Sequence, residues 1–302
     1  MSPVVYCGNM CHNTQYDYAI INDAIINDAI INDAIVYNTL LNNLYLIIPL
    51  FTILFTFSLA TYVDKPKNKK KPIIISIEGN IGTGKSTLIE KIQDYFEHVS
   101  TNIKFGYIPE PVNIWNSVTD DDGVTILEKY YEDQHKYAFP FQMMAYISRL
   151  SIMREVLLQD YDVIIMERSM FTDCEVFAKM LYDDKKIETI EYNIYRKWFA
   201  EFIGDFPTIS HIYIQAEPNV SAGRVVKRGR QGENIPLSYL EKCHEYHEQW
   251  LLEEDADIGC ECETFLLLDG NKEMTDADYN EWLDQIEEFI HSKFPKDNID
   301  CY

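Results

Sequence analysis

The sequence predicts an α/β protein built on a parallel, doubly wound sheet, and two observations carry this prediction. From Pro72 onward, short β-branched runs alternate with longer stretches of helical periodicity, as expected when helices connect parallel strands. The first unit joins the apolar run 73–77 to a helix beginning at Lys85 through a glycine-rich loop. We therefore expect a globular domain over residues 72–302, preceded by a separate extension over residues 1–71.

The loop at residues 79–86 reads Gly-Asn-Ile-Gly-Thr-Gly-Lys-Ser and fits the phosphate-binding pattern G-x-x-x-x-G-K-[ST]. The helix after it places apolar residues on one face from Leu88 to Phe96, so strand, loop and helix stand in the order that this motif needs. Glycines let backbone N–H groups close around phosphate oxygens, and the helix N-terminus adds a favourable dipole. We call this segment the phosphate loop. It predicts a nucleotide site in which Lys85 reaches the β- and γ-phosphates and Ser86 binds Mg²⁺.

The remaining elements follow in alternation. Apolar runs predict strands at residues 73–77, 104–108, 163–166, 211–215 and 264–268. Between and after them, helical periodicity covers residues 124–137, 139–159, 173–181, 188–203, 220–228, 237–252 and 276–290. Strands separated by helices in this way favour a parallel sheet with helices on both faces.

Charge and cysteine content narrow the class of protein. Residues 1–71 hold five Asp and five Lys, so the rest of the chain, with 21 basic and 44 acidic residues, carries the whole net charge of −23. Such a field repels nucleic acid and anionic lipid, while a neutral nucleoside does not feel it. We expect no nucleic-acid partner, and a nucleotide needs a local basic patch. Seven scattered cysteines without paired C-x-x-C motifs are typical of reduced thiols in the cytosol.

The N-terminal extension has two features of its own. Residues 20–34 are three copies of Ile-Ile-Asn-Asp-Ala, and a period of five matches neither helix nor strand, which predicts a low-complexity insertion. Residues 44–63 are uncharged over 20 residues and precede a Lys-rich linker, so they are a candidate transmembrane segment with the C-terminal domain on the cytosolic side. An apolar tail without structure, or one that packs on a partner, is the alternative.

Several motifs in the second part of the chain resemble those of the deoxynucleoside kinases of the deoxycytidine/deoxyguanosine kinase type. The resemblance covers nearly all of residues 72–302 in family order, and only the extension lies outside it. The matching segments are Ile-Glu-Gly-Asn-Ile-Gly-Thr-Gly-Lys-Ser-Thr (77–87), Pro-Glu-Pro-Val (109–112) with Trp115, Phe-Gln (141–142), Met-Glu-Arg-Ser (166–169), Arg-Gly-Arg (228–230) and Ile-Pro-Leu-Ser-Tyr-Leu-Glu (235–241).

This resemblance implies a P-loop kinase fold with a five-stranded parallel sheet flanked by helices. It also implies transfer of the ATP γ-phosphoryl group, with Mg²⁺, to the 5′-OH of a deoxynucleoside, and a homodimer joined through helices. The residues that it assigns to the nucleotide in the phosphate loop are Gly79, Asn80, Ile81, Gly82, Thr83, Gly84, Lys85, Ser86 and Thr87.

Three charged residues at predicted strand ends are candidates for catalysis. Glu110 follows one strand, and Glu167 and Arg168 follow another, at the edge where open parallel sheets bind ligands. A carboxylate there can accept the 5′-OH proton, and both glutamates are candidates for this role. By resemblance, Arg168 lies near the 5′-OH and the transferred phosphate, and Glu167 can also hold Mg²⁺ through water. A structural Glu-Arg ion pair is the alternative.

The residues expected to contact the nucleoside are Gln142, Arg149 and Asp173 at the base and Tyr131 at the 3′-OH. Arg149 lies two helical turns from Gln142 on one face. By resemblance, cytidine and purine kinases carry Arg and Asp at these places, whereas thymidine-preferring members carry apolar residues. We expect deoxycytidine and purine deoxynucleosides to be preferred, with thymidine poor. Alternatively, Arg149 and Asp173 form a plain buried ion pair, and Tyr131 is a core residue.

One basic cluster stands out in the acidic domain, and it consists of Arg224, Lys227, Arg228 and Arg230. Guanidinium groups match the charge that a phosphoryl-transfer transition state spreads over oxygens, and by resemblance this cluster is the lid over ATP. A solvated helix face is the simpler interpretation. The resemblance also puts Glu233 on the sugar, although the spacing from Arg230 to Pro236 is one residue shorter than the family pattern. Asp269 follows the last strand, either at the adenine pocket or as a plain loop acid.

Two other functions compete with a deoxynucleoside kinase. A nucleoside monophosphate kinase shares the phosphate loop, but its acceptor is already charged and needs further arginines, which the set of Glu110, Gln142 and Asp173 does not supply. A non-catalytic, membrane-tethered kinase relative is the other alternative. It has no need for the full set of Lys85, Ser86, Glu110, Glu167 and Arg168.

Overall fold

The computed structural model describes residues 71–229, 235–252 and 265–294. The repeat at 20–34, the segment at 44–63, and both Arg230 and Glu233 lie outside these residues, so what was expected of them stays a prediction. Among the described residues, no helix combines the length and apolar character needed to cross a membrane.

The described residues form one parallel sheet of five strands in the order β2-β3-β1-β4-β5. The strands are β1 (Ile73–Glu78), β2 (Phe105–Ile108), β3 (Val163–Glu167), β4 (Ile209–Gln215) and β5 (Phe265–Asp269). The predicted parallel sheet is therefore confirmed, and each strand lies within two residues of its predicted limits. β1 and β3 are buried along nearly their whole length, which explains why both read as nearly continuous apolar runs.

The chain changes direction next to β1. From β1 it runs over β3 to the edge strand β2, and from β3 it crosses to β4 on the other side of β1. Ile77 of β1 pairs with Glu167 of β3, so the carboxyl ends of the two strands lie side by side. Ligands of open α/β sheets bind at such a switch point, and here the phosphate loop leaves β1 at this position.

Nine α-helices and one π-helical segment surround the sheet in the described part of the chain. The helices are α1 (Lys85–His98), α2 (Val112–Asn116), α3 (Ile126–Glu132), α4 (Gln134–Val156), α5 (Lys179–Asp183), α6 (Thr189–Ile203), α7 (Pro218–Arg228), α8 (Leu237–Leu251) and α9 (Asp276–Ser292). The π-helical segment is Thr172–Ala178, immediately before α5.

Two helical predictions need correction. The sequence pattern divided the helices at residue 138, whereas the structure divides them at Asp133, whose backbone leaves the helical region and whose side chain accepts the Lys136 N–H at 3.3 Å. The N-terminal cap decides the boundary, and Pro140 is accommodated inside α4. The predicted α-helix over 173–181 is a π-helical segment followed by α5, and α2 was not predicted because it has only five residues.

The core has a separate cluster on each face of the sheet. Ile75 and Ile77 point to one face and pack with residues of α1 and α9, including Leu88 and Ile286. Ile74 and its neighbours on β3 point to the other face, where α4 and α6 cover them. Both faces are buried, so the carboxyl edge of the sheet is left as the place for a site.

Candidate active site

The phosphate loop is held by contacts that depend on its particular residues. Gly82 has φ of 87°, and a Cβ at this position would lie 2.6 Å from the carbonyl oxygen of Ser221 in α7. Only glycine fits there without strain. The Asn80 side chain donates to the Leu240 carbonyl of α8 at 2.7 Å and accepts the Ile81 N–H at 2.8 Å. The loop is therefore anchored to α7 and α8.

Lys85 starts α1 and folds back over the loop. Its Nζ donates to the carbonyl of Asn80 at 2.8 Å and to that of Gly79 at 3.2 Å, and the residue is 5% exposed. Burial and, after it, the positive charge of Arg168 outweigh the neighbouring carboxylates and together lower the pKa of Lys85 to about 7. An arriving anion would favour the charged form of this amine.

Arg168 joins the phosphate loop to the carboxylate that follows β2. Its Nε donates to Glu110 Oε1 at 3.1 Å, and its Nη1 donates to the Gly79 carbonyl at 2.8 Å. The guanidinium also lies 5.0 Å from the ring centroid of Phe177, within reach of a cation–π interaction. The strand ends thus bring Glu110 and Arg168 together, as the sequence predicted. The two side chains form an ion pair that is only partly exposed.

Ser86 and Glu167 meet on the other side of the loop. The Ser86 hydroxyl donates to Glu167 Oε1 at 3.1 Å. Among the described residues, no three His, Cys, Asp or Glu side chains cluster as a metal site. The pair offers one hydroxyl and one carboxylate, which suits Mg²⁺ that keeps waters and takes its other ligands from phosphates.

A first cavity lies beside these residues and has a polar floor. Arg149 Nε donates to Asp173 Oδ2 at 3.0 Å, and Arg149 Nη1 donates to the Glu167 carbonyl at 2.7 Å. Burial raises the pKa of Asp173, although the Arg149 charge opposes the shift. Gln142 lines the same cavity and is 2% exposed, and its Oε1 accepts no hydrogen bond. Since buried amide oxygens are almost always paired, Gln142 is an acceptor without its donor.

The wall of the first cavity is aromatic, and most of it was not singled out from the sequence. Tyr130 stacks on Phe141 with ring centroids 4.7 Å apart, and its hydroxyl lies 2.8 Å from that of Tyr239. Tyr131, the predicted 3′-OH partner, lines the cavity next to them. The remaining aromatic lining is Trp115 and Phe177. The motif matches contain Trp115, Phe141 and Tyr239, and this was the only signal that could have assigned them to a site.

A second cavity lies on the other side of the phosphate loop, lined among others by Gly82, Thr83, Gly84, Lys85, Ser86, Thr87, Glu167, Arg224, Lys227, Arg228 and Gly270. Arg224 and Arg228 are one turn apart on α7, as the sequence predicted. Arg224 donates to the Lys272 carbonyl at 2.7 Å and reaches the Thr83 carbonyl at 3.5 Å. Asp269 is not among these lining residues, and its carboxylate accepts the Asn271 N–H at 3.0 Å within its own turn.

The two cavities share the residues Gly82, Lys85, Ser86, Glu167 and Arg228. An aromatic cavity with buried polar groups thus meets a cavity with cationic side chains across a phosphate-binding loop. A five-stranded parallel sheet with this loop after its first strand defines the P-loop kinase fold.

Comparison with known proteins gives the family. The family model described as deoxynucleoside kinase matches residues 75–291. The chain is 36% identical over 183 residues to the probable deoxycytidine kinase of fowlpox virus, covering 59% of this chain and 72% of the relative. It is 32% identical over 241 residues to deoxycytidine kinase of Homo sapiens, covering 72% and 90%. It is 29% identical over 207 residues to the mitochondrial deoxyguanosine kinase of Xenopus laevis, covering 62% and 76%.

The chain therefore belongs to the deoxynucleoside kinase family, as its motifs predicted. It is a phosphotransferase, and the reaction supported by its relatives is the phosphorylation of a deoxynucleoside.

Proposed function

We propose that this protein transfers the γ-phosphoryl group of ATP to the 5′-OH of deoxycytidine or a purine deoxynucleoside, as a step of nucleotide salvage. The observation that carries the base preference is the buried Gln142 Oε1 without a donor, in the same cavity as the Arg149–Asp173 pair. A base edge that presents an exocyclic amino group, as cytosine, adenine and guanine do and thymine does not, would supply the missing donor. The relatives named as deoxycytidine and deoxyguanosine kinases support this preference.

Thymidine is expected to be a poor substrate. Sites that read a substrate through buried polar groups reject an unmatched analogue by about 10⁴-fold, because the groups of the site are then left unpaired. Tyr131 is proposed to contact the 3′-OH and Glu233 the sugar. The aromatic wall, which includes Phe141 and Tyr130, supplies apolar surface against which a base can pack.

The proton of the 5′-OH is proposed to pass to Glu110 or Glu167. Glu110 lines the first cavity only, whereas Glu167 lines both cavities and accepts the Ser86 hydroxyl. This difference favours Glu110 as the base and Glu167 as a metal-side residue. Arg168, paired with Glu110, is proposed to stabilise the charge of the transferred group.

Mg²⁺ and ATP would be held on the side of the second cavity. Ser86 and Glu167 fit a Mg²⁺ ion that neutralises phosphate charge, either directly or through water. Lys85 and the N–H groups of the phosphate loop would bind the phosphates, together with Arg224 and Arg228 of the same cavity. The resemblance assigns Arg230 to the same role. Asp269 ends β5 next to Gly270, which lines this cavity, and we keep it as an adenine-side candidate.

The test uses the purified full-length chain with ATP and Mg²⁺ and each of the four deoxynucleosides in turn. Monophosphate from deoxycytidine or a purine deoxynucleoside, with thymidine turned over at least about 10²-fold less efficiently, is the expected result. Thymidine turnover equal to that of deoxycytidine would refute the base preference and leave the kinase. Phosphorylation of deoxycytidine monophosphate but of no deoxynucleoside would replace the proposed acceptor by a nucleoside monophosphate.

A homodimer is proposed to form through one helix face. Ile190, Ile194 and Trp198 are spaced four residues apart on α6 and are 66%, 41% and 48% exposed, and Ile147 of the neighbouring α4 is 49% exposed. The Tyr146 hydroxyl donates to the Trp198 carbonyl at 3.2 Å, so α4 and α6 form one surface. We expect Trp198→Asp to shift sedimentation from dimer to monomer, with Leu158→Asp, outside both helices, as the control. A monomeric wild-type chain would refute this assembly.

A further inference from the structure

Arg168 is held in a strained backbone conformation. Its φ is 61°, and Lys185 is the other non-glycine residue with positive φ in the described part of the chain. The left-handed region costs an ordinary residue about 1–2 kcal/mol, so it persists only where neighbouring contacts impose it. At Arg168 the backbone N–H donates to the Ile77 carbonyl at 3.1 Å, which closes the end of β3 onto β1.

The contacts that impose this turn converge on a buried carboxylate. Glu78 is the last residue of β1, directly before the phosphate loop, and it is 0% exposed. Its Oε1 accepts the N–H of Ser169, the residue after Arg168, at 3.0 Å. Its Oε2 accepts the hydroxyl of Thr172 at the start of the π-helical segment. Glu78 thus binds the backbone on the C-terminal side of the strained residue.

Glu78 is charged although no solvent reaches it. Burial alone would raise the pKa of Glu78, but contacts with His211, Thr172 and Ser169 outweigh burial and lower it. His211 Nδ1 lies 3.7 Å from Glu78 Oε1 and 2.7 Å from the Ser76 hydroxyl. Glu78 lies outside the lining of both cavities, so no contact with a substrate accounts for this buried charge.

We propose that Glu78 is a positioning residue for the phosphoryl transfer. Its two oxygens fix Ser169 and Thr172, and this clamp keeps Arg168 in the turn from which the guanidinium reaches both Glu110 and the Gly79 carbonyl. Since Glu78 also precedes the phosphate loop in the chain, one side chain sets the distance between the loop and Arg168. The inference rests on the proposed role of Arg168 in catalysis.

Glu78→Gln tests the clamp, because it keeps the size of the side chain and removes the charge and one acceptor. We expect kcat to fall by about 10–100-fold, since small misplacements of a catalytic group have effects of this size. KM for the deoxynucleoside should change little, because Glu78 contacts neither cavity. Thr172→Val removes one partner of the clamp and is expected to give a smaller fall in kcat. It serves as the test if Glu78→Gln does not fold.

Ser76→Ala is the matched control. It removes a buried hydroxyl of the same network on the His211 side and leaves both clamp contacts of Glu78 in place. We expect its kcat to match that of the wild type. All variants are assayed well below their unfolding temperatures, with circular dichroism to confirm that each is folded. If Ser76→Ala loses as much kcat as Glu78→Gln, the network acts through general stability and the proposal is wrong.

A double-mutant cycle with Arg168→Lys separates positioning from packing. If Glu78 acts through Arg168, Glu78→Gln has much less effect on kcat in the Arg168→Lys background than in the wild type. An equal fold-loss in both backgrounds, or a folded Glu78→Gln with wild-type kcat, would overturn the proposal. The wild-type chain reports on the proposed function by itself. If the wild-type chain phosphorylates no deoxynucleoside, the proposed function is wrong. The positioning role of Glu78 is then wrong as well, but because the wild type lacks the activity and not because a variant behaves unexpectedly.

Discussion

The buried pair of Arg149 and Asp173 makes a prediction that joins stability to base preference. The two side chains are 1% and 3% exposed and bond at 3.0 Å, with a second contact from Nη2 to Oδ1 at 3.4 Å. Asp173→Ala leaves a buried guanidinium whose remaining hydrogen-bond partner is the Glu167 carbonyl. Removing one partner of a buried ion pair costs about 3–5 kcal/mol in the free energy of unfolding, and we expect that loss for each single variant.

The double variant Arg149→Met/Asp173→Ala behaves differently under the same reasoning. Replacing a whole buried pair by apolar side chains is often neutral or stabilising, so the double variant should be more stable than either single variant by about 2 kcal/mol or more. Urea unfolding of the four chains measures this coupling. A double variant whose loss equals the sum of the single losses would refute the idea that the two side chains stabilise the fold as a pair.

The substrate preference of the double variant should also differ from that of the wild type. The site would no longer present a charged pair to the base, so kcat/KM for deoxycytidine should fall by at least about 10²-fold, while thymidine loses its penalty. The assay is kcat/KM for both nucleosides on the same preparations. A stable double variant that still prefers deoxycytidine by the wild-type factor would show that the pair has a structural role only.

Three further predictions concern single residues. Lys85→Ala should lower kcat by about 10²–10³-fold with an unchanged circular dichroism spectrum, because it removes one preorganised charge. Gly82→Ala should abolish most activity, because its Cβ would meet the Ser221 carbonyl, whereas Gly123→Ala, at a similar φ of 82° in open space, should not. Burial lowers the pKa of His247 to about 3, so the folded chain keeps it neutral while the unfolded chain protonates below its usual 6.5. The contribution of neutral His247 to the free energy of unfolding is therefore full above pH 6.5 and about 1.4 kcal/mol smaller at pH 5.5. The difference in free energy of unfolding between the wild type and His247→Gln should shrink by that amount over this pH range.

The sheet could be predicted because its strands carry their own signal. A strand buried on both faces is mostly apolar, and β1 and β3 are so apart from Ser76 and the glutamates with which they end. Helix boundaries were less predictable, since they depend on single capping contacts such as that of Asp133 with the Lys136 N–H. The π-helical segment at Thr172–Ala178 carries no periodicity of its own, and its form follows from its surroundings.

The candidate site was predictable where its residues stand at strand ends or in the phosphate loop. Arg168 and Glu110 come together because the carboxyl ends of parallel strands meet at one edge. Tyr130 and Phe177 look like core aromatics in the sequence, and only the fold shows that they face a cavity. Glu78 stands in the motif at 77–87, but its role could not be predicted, because only the fold shows that its buried carboxylate accepts hydrogen bonds from Ser169 and Thr172.

The division of the site into two cavities explains how an acidic protein can handle an anionic donor. The net charge of −23 opposes the approach of a nucleoside triphosphate. The second cavity, where the phosphates would bind, is lined by Arg224 and Arg228 of α7, which offset this repulsion locally. The first cavity holds the Arg149–Asp173 pair and suits a neutral nucleoside. Phosphoryl transfer needs the attacking and leaving oxygens in line with the transferred phosphorus. The residues that line both cavities, among them Lys85, can reach a ligand in either cavity. Under the proposed function, base choice and donor binding therefore depend on different side chains.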